Sequence, residues 1–191
     1  VLINDLRTPD FGASRADVIA ATLDLAEWAD NVGIDILGFG EHHNSDDGYN
    51  PSPLVLVAAC AGRTRRIRLR SAVLLASCYD PVRLAEDLAV LDNLSNGRME
   101  IGVGRGGVLE AFFWGQESDE ATNRQRYEEV LGALRNGLAN EELTYQGQFH
   151  NFDRVPMRLR PYQSPTPPFW YMRNPEVAAE NGMNCIVVGS L

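Results

Sequence analysis

Gly40-Glu41-His42-His43 gathers a carboxylate and two of the chain's three histidines directly after an apolar run, Ile36-Leu37-Gly38-Phe39. Such a run reads as a buried strand, so the imidazoles stand where that strand opens to solvent. An imidazole can hold or relay a proton near neutral pH. Gly102-Val103-Gly104-Arg105-Gly106-Gly107 sets one guanidinium among glycines at another strand end. Glycine there lets backbone N–H groups approach an anion, and arginine supplies a permanent charge. His150 falls in a hairpin and reads as surface. Cys60, Cys78 and Cys185 lack metal-ligand spacing and read as reduced thiols of a cytosolic protein. Cys60 and Cys185 sit in apolar runs and read as core, whereas Cys78 lies near a strand end and could line a site. No metal centre is expected.

The elements that must position these groups repeat one unit: helix, glycine, short apolar strand. Residues 15–32 carry Val18, Ile19, Leu23, Leu25, Ala26, Trp28 and Ala29 at helical spacing, and Gly33 stops the helix before a strand at 34–39. Ser52-Pro53 and Asp80-Pro81 each pair a capping side chain with proline at the first helical position. Strands are expected at 67–75 and 99–104, and a long polar helix at 122–140. A hairpin over 143–152 turns at Gln146-Gly147, and a proline-rich connection leads to a strand at 169–172. A short helix at 175–181 and a strand at 185–188 close the chain. Strands alternating with helices imply a parallel sheet with right-handed crossovers.

Strand parity adds a detail. Leu37 and Phe39 share one face, while Gly38, Gly40 and His42 share the other; Ile101 and Val103 divide in the same way from Gly102 and Gly104. In a barrel the bulky set packs under the helices, and the glycine face leaves room inside for something flat. Bulk composition limits the partners. The 191 residues carry a net charge of −9, which disfavours nucleic acid or an anionic membrane, since both need a basic face. All 17 bases are arginine, so any charged phosphate contact comes from a guanidinium. No apolar run approaches the roughly 20 residues of a membrane span, and a cytoplasmic location is expected.

Three segments carry a resemblance: residues 26–43 with Gly-Glu-His-His, residues 80–98 with Leu91-Asp92-Asn93-Leu94-Ser95-Asn96-Gly97-Arg98, and Gly102 to Gly107. In this order and spacing the chain resembles the bacterial luciferase-like flavin monooxygenases along essentially its whole length. The resemblance implies a TIM-type (β/α)8 barrel with its site at the C-terminal ends of the strands. About six strands are legible, so a single barrel domain over 1–191 is expected to lack its last βα units, with the hairpin and proline-rich stretch at 143–168 as an insertion. It further implies reduced FMN from a separate reductase, O2 and a small organic substrate, or, as the alternative, the deazaflavin F420 on the same barrel. A shortened barrel that only binds flavin is the third reading. A homodimer through the helices beginning at Pro53 and Pro81 is also implied.

By the same resemblance His42 is the active-site histidine, with Glu41 beside it in the catalytic set and His43 supporting the loop. Cofactor contacts are implied at Ala72, Gly104, Arg105, Gly106 and Arg124; Tyr171-Met172-Arg173-Asn174 departs from the family's phosphate loop, and Arg173 is expected to replace those contacts. Arg105 is the leading phosphate ligand. Arg124 is expected to act with a free helix N-terminus, with Arg126 as its competitor, and Asn174 is an alternative to Arg173. A cis peptide is expected at Ala72-Val73, where it would be a rare feature. Gly104 stands where light-emitting luciferases have a reactive cysteine, so light emission is not implied.

Overall fold

The computed structural model describes residues 1–7, 12–46, 48–116 and 119–187. In chain order the first half contains β1 (Leu2–Asn4), α1 (Arg15–Val32), β2 (Ile36–Phe39), α2 (Pro53–Arg63), β3 (Arg68–Ser71), β4 (Leu74–Leu75), a 3-10 turn (Ala76–Cys78) and α3 (Pro81–Leu94). There follow β5 (Met99–Gly104), α4 (Val108–Phe113), α5 (Glu120–Ala139), β6 (Glu142–Gln146), β7 (Asn151–Pro156), β8 (Phe169–Met172), α6 (Pro175–Glu180) and β9 (Asn184–Ile186). They group into two compact units, residues 1–74, 94–103 and 168–191 in one, residues 75–93 and 104–167 in the other.

The first unit is built on a sheet with strand order β1-β2-β3-β5-β8-β9. Its neighbouring strands run parallel. Among the described residues the fold is the expected α/β class, with six parallel strands along this path, β4 beside β5 off it, against the eight of a closed (β/α)8 barrel. Leu37, Phe39, Leu69, Met99, Ile101, Val103 and Phe169 are buried on one face, and α2 packs against β2 and β3. Helix α1 opens with a reciprocal capping box between Ser14 and Asp17 and closes at Gly33 with φ +85°. Only Thr22, Ala26, Ala29 and Asp30 of its residues are buried, while Ile19 and Trp28 from the expected apolar stripe are exposed. Cys185, on the last strand of the described path, is half-buried rather than core. Val188, the expected end of that strand, lies outside the described residues.

Carboxylates and one guanidinium fix the connections. Asp30 accepts the backbone N–H groups of Arg65 (2.9 Å), Arg66 (2.9 Å) and Ile67 (2.6 Å), which sets the entry to β3. Burial alone would push this carboxyl up; the N–H groups outweigh it and hold it below the usual range. Arg98, the last residue of the Leu-Asp-x-x-Ser-x-Gly-Arg block, is buried. It donates to the carbonyls of Ser95 (2.7 Å), Ile67 (3.0 Å), Ala61 (3.1 Å) and Thr64 (3.1 Å) and to Thr64 Oγ1 (2.8 Å). The block is therefore a staple: Arg98 satisfies the carbonyls at the end of α2, which helix geometry leaves without partners.

The strand expected at 67–75 is broken. The Ala72-Val73 peptide is cis, as the resemblance implies, and it separates β3 from β4. Ser71 Oγ donates to Gly102 O and accepts Gly102 N–H, both at 2.9 Å, so a side chain continues the pairing beyond the ladder.

In the second unit α5 begins at Glu120, slightly ahead of the expected start, and α4 was not expected at all. Asp80 Oδ1 caps α3 by accepting Arg83 N–H at 2.9 Å. Gly137 lets α5 lie close to its neighbours: a Cβ there would sit 2.9 Å from Leu143 and 3.6 Å from Ala85. Asp92 of the same sequence block receives Gln163 N–H (2.7 Å) and Nε2 (2.8 Å), which ties down the proline-rich connection.

Candidate functional site

The loop leaving β2 is held by Asn50, whose Nδ2 donates to Gly40 O (2.9 Å) and whose carbonyl accepts His42 N–H (2.9 Å). Asn50 Oδ1 also accepts Ser52 N–H (3.2 Å). Ser52 stands at the N-cap of α2, but its hydroxyl makes no capping bond. Alternation along the loop sends successive side chains in opposite directions. Glu41 and His43 turn inward and pair at 2.7 Å, Glu41 buried and the His43 side chain nearly so. His42 turns outward, its ring edge-on to Tyr49 with centroids 4.4 Å apart. His42, Tyr49, Arg7 and Ser45 line an open pocket of about 320 Å³. Arg7 Nε lies 2.9 Å from each Asp5 oxygen, and this guanidinium holds the Asp5 carboxyl below its usual range. An exposed imidazole at a pocket wall, with its loop fixed from behind, can accept or deliver a proton to a bound molecule.

The glycine face of the sheet is not bare. A Cβ on Gly38 would lie 2.6 Å from Ile3 Cδ1 and 3.2 Å from Ala72 Cβ; one on Gly102 would lie 2.0 Å from Ser71 O. At these two positions glycine admits close neighbours rather than a flat ligand. Register places Gly38 beside Arg70, Arg70 beside Glu100, and Gly102 beside Trp170. Arg70 Nε donates to Glu100 Oε2 at 2.6 Å, Arg68 joins the same carboxylate, and the Arg70 guanidinium lies 3.6 Å from the Trp170 ring centroid. Sequence reasoning missed this buried polar cluster. The signal was the alternation Arg68-Leu69-Arg70 and a lone Glu100 in an apolar strand, both in phase with the glycines.

In the second unit Arg105 follows β5. Its carbonyl accepts Ser77 Oγ, and Gln116 Nε2 holds the Ser77 carbonyl at 3.0 Å. Its guanidinium pairs with the Glu120 carboxylate at the first position of α5. Gly106 has φ +73°, a left-handed backbone that favours glycine. The free N-terminus expected for α5 is not found. Asp119 Oδ1 accepts Thr122 N–H at 2.9 Å, and hydrogen bonding by the Thr122 side chain, with that N–H beside it, holds the Asp119 carboxyl below its usual range. A capping carboxylate already takes up one of the donors that an anion would seek. Arg124 projects from the exposed face of the next turn. Arg126 lies with its guanidinium 4.2 Å from the Phe149 ring centroid.

His150 is mostly buried, against expectation, with Nδ1 3.6 Å from Glu129 Oε2. The cause is Glu129, whose carboxylate accepts the N–H groups of Gln148 (2.8 Å), Phe149 (2.8 Å) and His150 (3.0 Å) and so draws the hairpin tip onto α5. Back in the first unit, Arg173 is exposed with φ +73°, and its N–H donates to Ile186 O at 2.9 Å. Asn174 Oδ1 caps α6 by accepting Val177 N–H at 3.1 Å. Ala72 is half-buried and donates its N–H to Phe39 O. Burial pushes the Cys60 thiol up to about 11, so it is no nucleophile at neutral pH. Among the described residues no helix is long and apolar enough to cross a membrane.

Comparison with known proteins places this arrangement. A family described as luciferase-like monooxygenase matches residues 5–188. The oxygenase component of a flavin-dependent trigonelline monooxygenase from Acinetobacter baylyi is 32% identical over 169 residues, covering 85% of this chain and 46% of that protein. The crystal structure of the monooxygenase RslO1 from Streptomyces bottropensis superposes with a TM-score of 0.87 at 31% identity, over 97% of this chain and 59% of that one. The oxygenating constituent of 3,6-diketocamphane monooxygenase from Pseudomonas putida, solved with FMN, shares the fold with a TM-score of 0.84 at 20% identity, over 99% and 57%. The chain spans about half the length of the curated relatives it matches.

Proposed function

This chain belongs to the luciferase-like monooxygenase family, and on that premise we propose that it oxygenates a small organic substrate with O2, using reduced FMN delivered by a separate reductase. The flavin-dependent relative described as an oxygenase component supports a partner reductase, and the FMN-bound fold relative supports FMN. The observation that carries the reading is the outward His42 on its open pocket, beside the buried Glu41–His43 pair. His42 is the group that would hold or move the substrate's proton, with Glu41 and His43 fixing its loop.

The donor set at Arg105 fits the phosphate end of the cofactor: a guanidinium flanked by glycines, already engaged by an anionic side chain. Arg124 and Arg173 are the further guanidinium candidates. When bound, the flavin supplies the redox chemistry with oxygen, and the protein supplies placement, proton transfer and exclusion of water. The reading extends to a homodimer through α2 and α3 and to a cytoplasmic location.

Anaerobic titration with reduced FMN tests this. The intact chain is expected to bind it, and Arg105→Ala to weaken binding about tenfold or more, the scale of a lost charge-assisted hydrogen bond. His42→Ala is expected to leave binding unchanged and to alter the reoxidation rate of the bound cofactor in a stopped-flow experiment by at least about tenfold, the lower range for a lost proton-transfer group. Failure to bind FMN would overturn the reading, and preferential binding of F420 would replace it with a deazaflavin oxidoreductase.

A further inference from the structure

Resting on that reading, we propose that Glu120 is an internal competitor for the phosphate site: it occupies Arg105 until a phosphate displaces it, and so sets how strongly the protein prefers a phosphorylated flavin to an unphosphorylated one. The two partners are unequally anchored. Arg105 has 26% of its side chain exposed, and its main chain is pinned by Ser77, which Gln116 holds in turn. Glu120 has 62% of its side chain exposed and projects from the first position of a helix. It can swing into water at little cost, whereas the arginine stays in place.

The helix end is already partly engaged. Asp119 takes up its Thr122 N–H, so the pull on an arriving anion rests mainly on Arg105, which Glu120 holds. Exposed ion pairs of this kind contribute at most about 1 kcal/mol, a factor of about five in affinity. That is strong enough to tax every anion at Arg105 and weak enough for a phosphomonoester, with roughly −1.5 to −2 charge and three acceptor oxygens, to win. A flavin without phosphate has nothing to place on Arg105, so Glu120 costs it nothing. The consequence is a cofactor held loosely enough to exchange, which suits delivery from a separate protein.

Three ligands separate the terms: FMN, riboflavin and inorganic phosphate, each titrated into the wild-type chain, Glu120→Gln, Arg105→Ala and the double variant. Glu120→Gln is expected to tighten FMN and inorganic phosphate by about two- to fivefold and to leave riboflavin unchanged. In the Arg105→Ala background the same substitution is expected to yield no gain. Equal FMN affinity in wild type and Glu120→Gln, with Arg105→Ala still weakened, would overturn this inference and leave the flavin reading standing. A gain that persists without Arg105 would also overturn it, because the effect would then be a general field and not a displaced pair. If Arg105→Ala binds FMN as tightly as wild type, Arg105 is not the phosphate ligand, and that part of the functional reading falls with the inference.

Discussion

Glu120 and Glu129 lie on the same helix and meet opposite circumstances. Glu129 is buried and accepts three successive backbone N–H groups from the hairpin tip, partners that cannot leave without unfolding that segment. Glu120 is exposed and holds one side chain that any stronger anion can take over. A carboxylate's identity therefore says little about its role. Burial and the kind of donor decide whether it is part of the scaffold or part of a site.

Removing the buried partner should produce the largest effect. Glu129→Ala leaves three N–H groups without their acceptor and is expected to cost about 3 kcal/mol in urea unfolding, because bonds to charged groups weigh more than neutral ones. An intermediate effect is expected from pH. Burial would push the Glu129 carboxyl up, but the N–H groups of Gln148, Phe149 and His150 outweigh it and hold it below its ordinary value of 4.5. Its contribution is thus fully present above that value and is lost as pH falls through the lower folded one. Glu129→Gln should flatten this acid limb, and unchanged acid sensitivity would assign the limb to other carboxylates such as Asp30. The smallest effect belongs to Glu120→Ala, expected to shift unfolding by no more than about 1 kcal/mol, in keeping with an exposed pair. A loss on the scale of Glu129→Ala would erase the distinction between the two.

Much of the fold was legible because it rests on local rules: glycine at the end of α1, Asp80 and Pro81 at the start of α3, and apolar runs of strand length. The cis peptide at Ala72-Val73 was legible only through resemblance, since nothing in those two residue types requires it. What escaped the sequence depends on distant partners. The capped start of α5 was missed because Asp119 competes for the donors that Arg124 was expected to share. His150 was assigned to the surface because the pull of Glu129 on the hairpin is a tertiary contact. The glycine face was read as empty because parity tells which side a residue faces, not what the neighbouring strand places there. Arg70, Glu100 and Trp170 fill part of it.

The closeness of Ser71 to Gly102 has a consequence for how this chain can vary. A methyl group at Gly102 would lie 2.0 Å from a main-chain oxygen, which no rotamer change can move aside. Even alanine, the mildest replacement available, would have to displace a strand bearing on one side the reciprocal hydroxyl contact and on the other the pairing with β8. A library of random substitutions selected for folded protein should therefore return Gly102 nearly untouched. Gly62, whose Cβ would meet nothing within 4 Å, should drift freely in the same library.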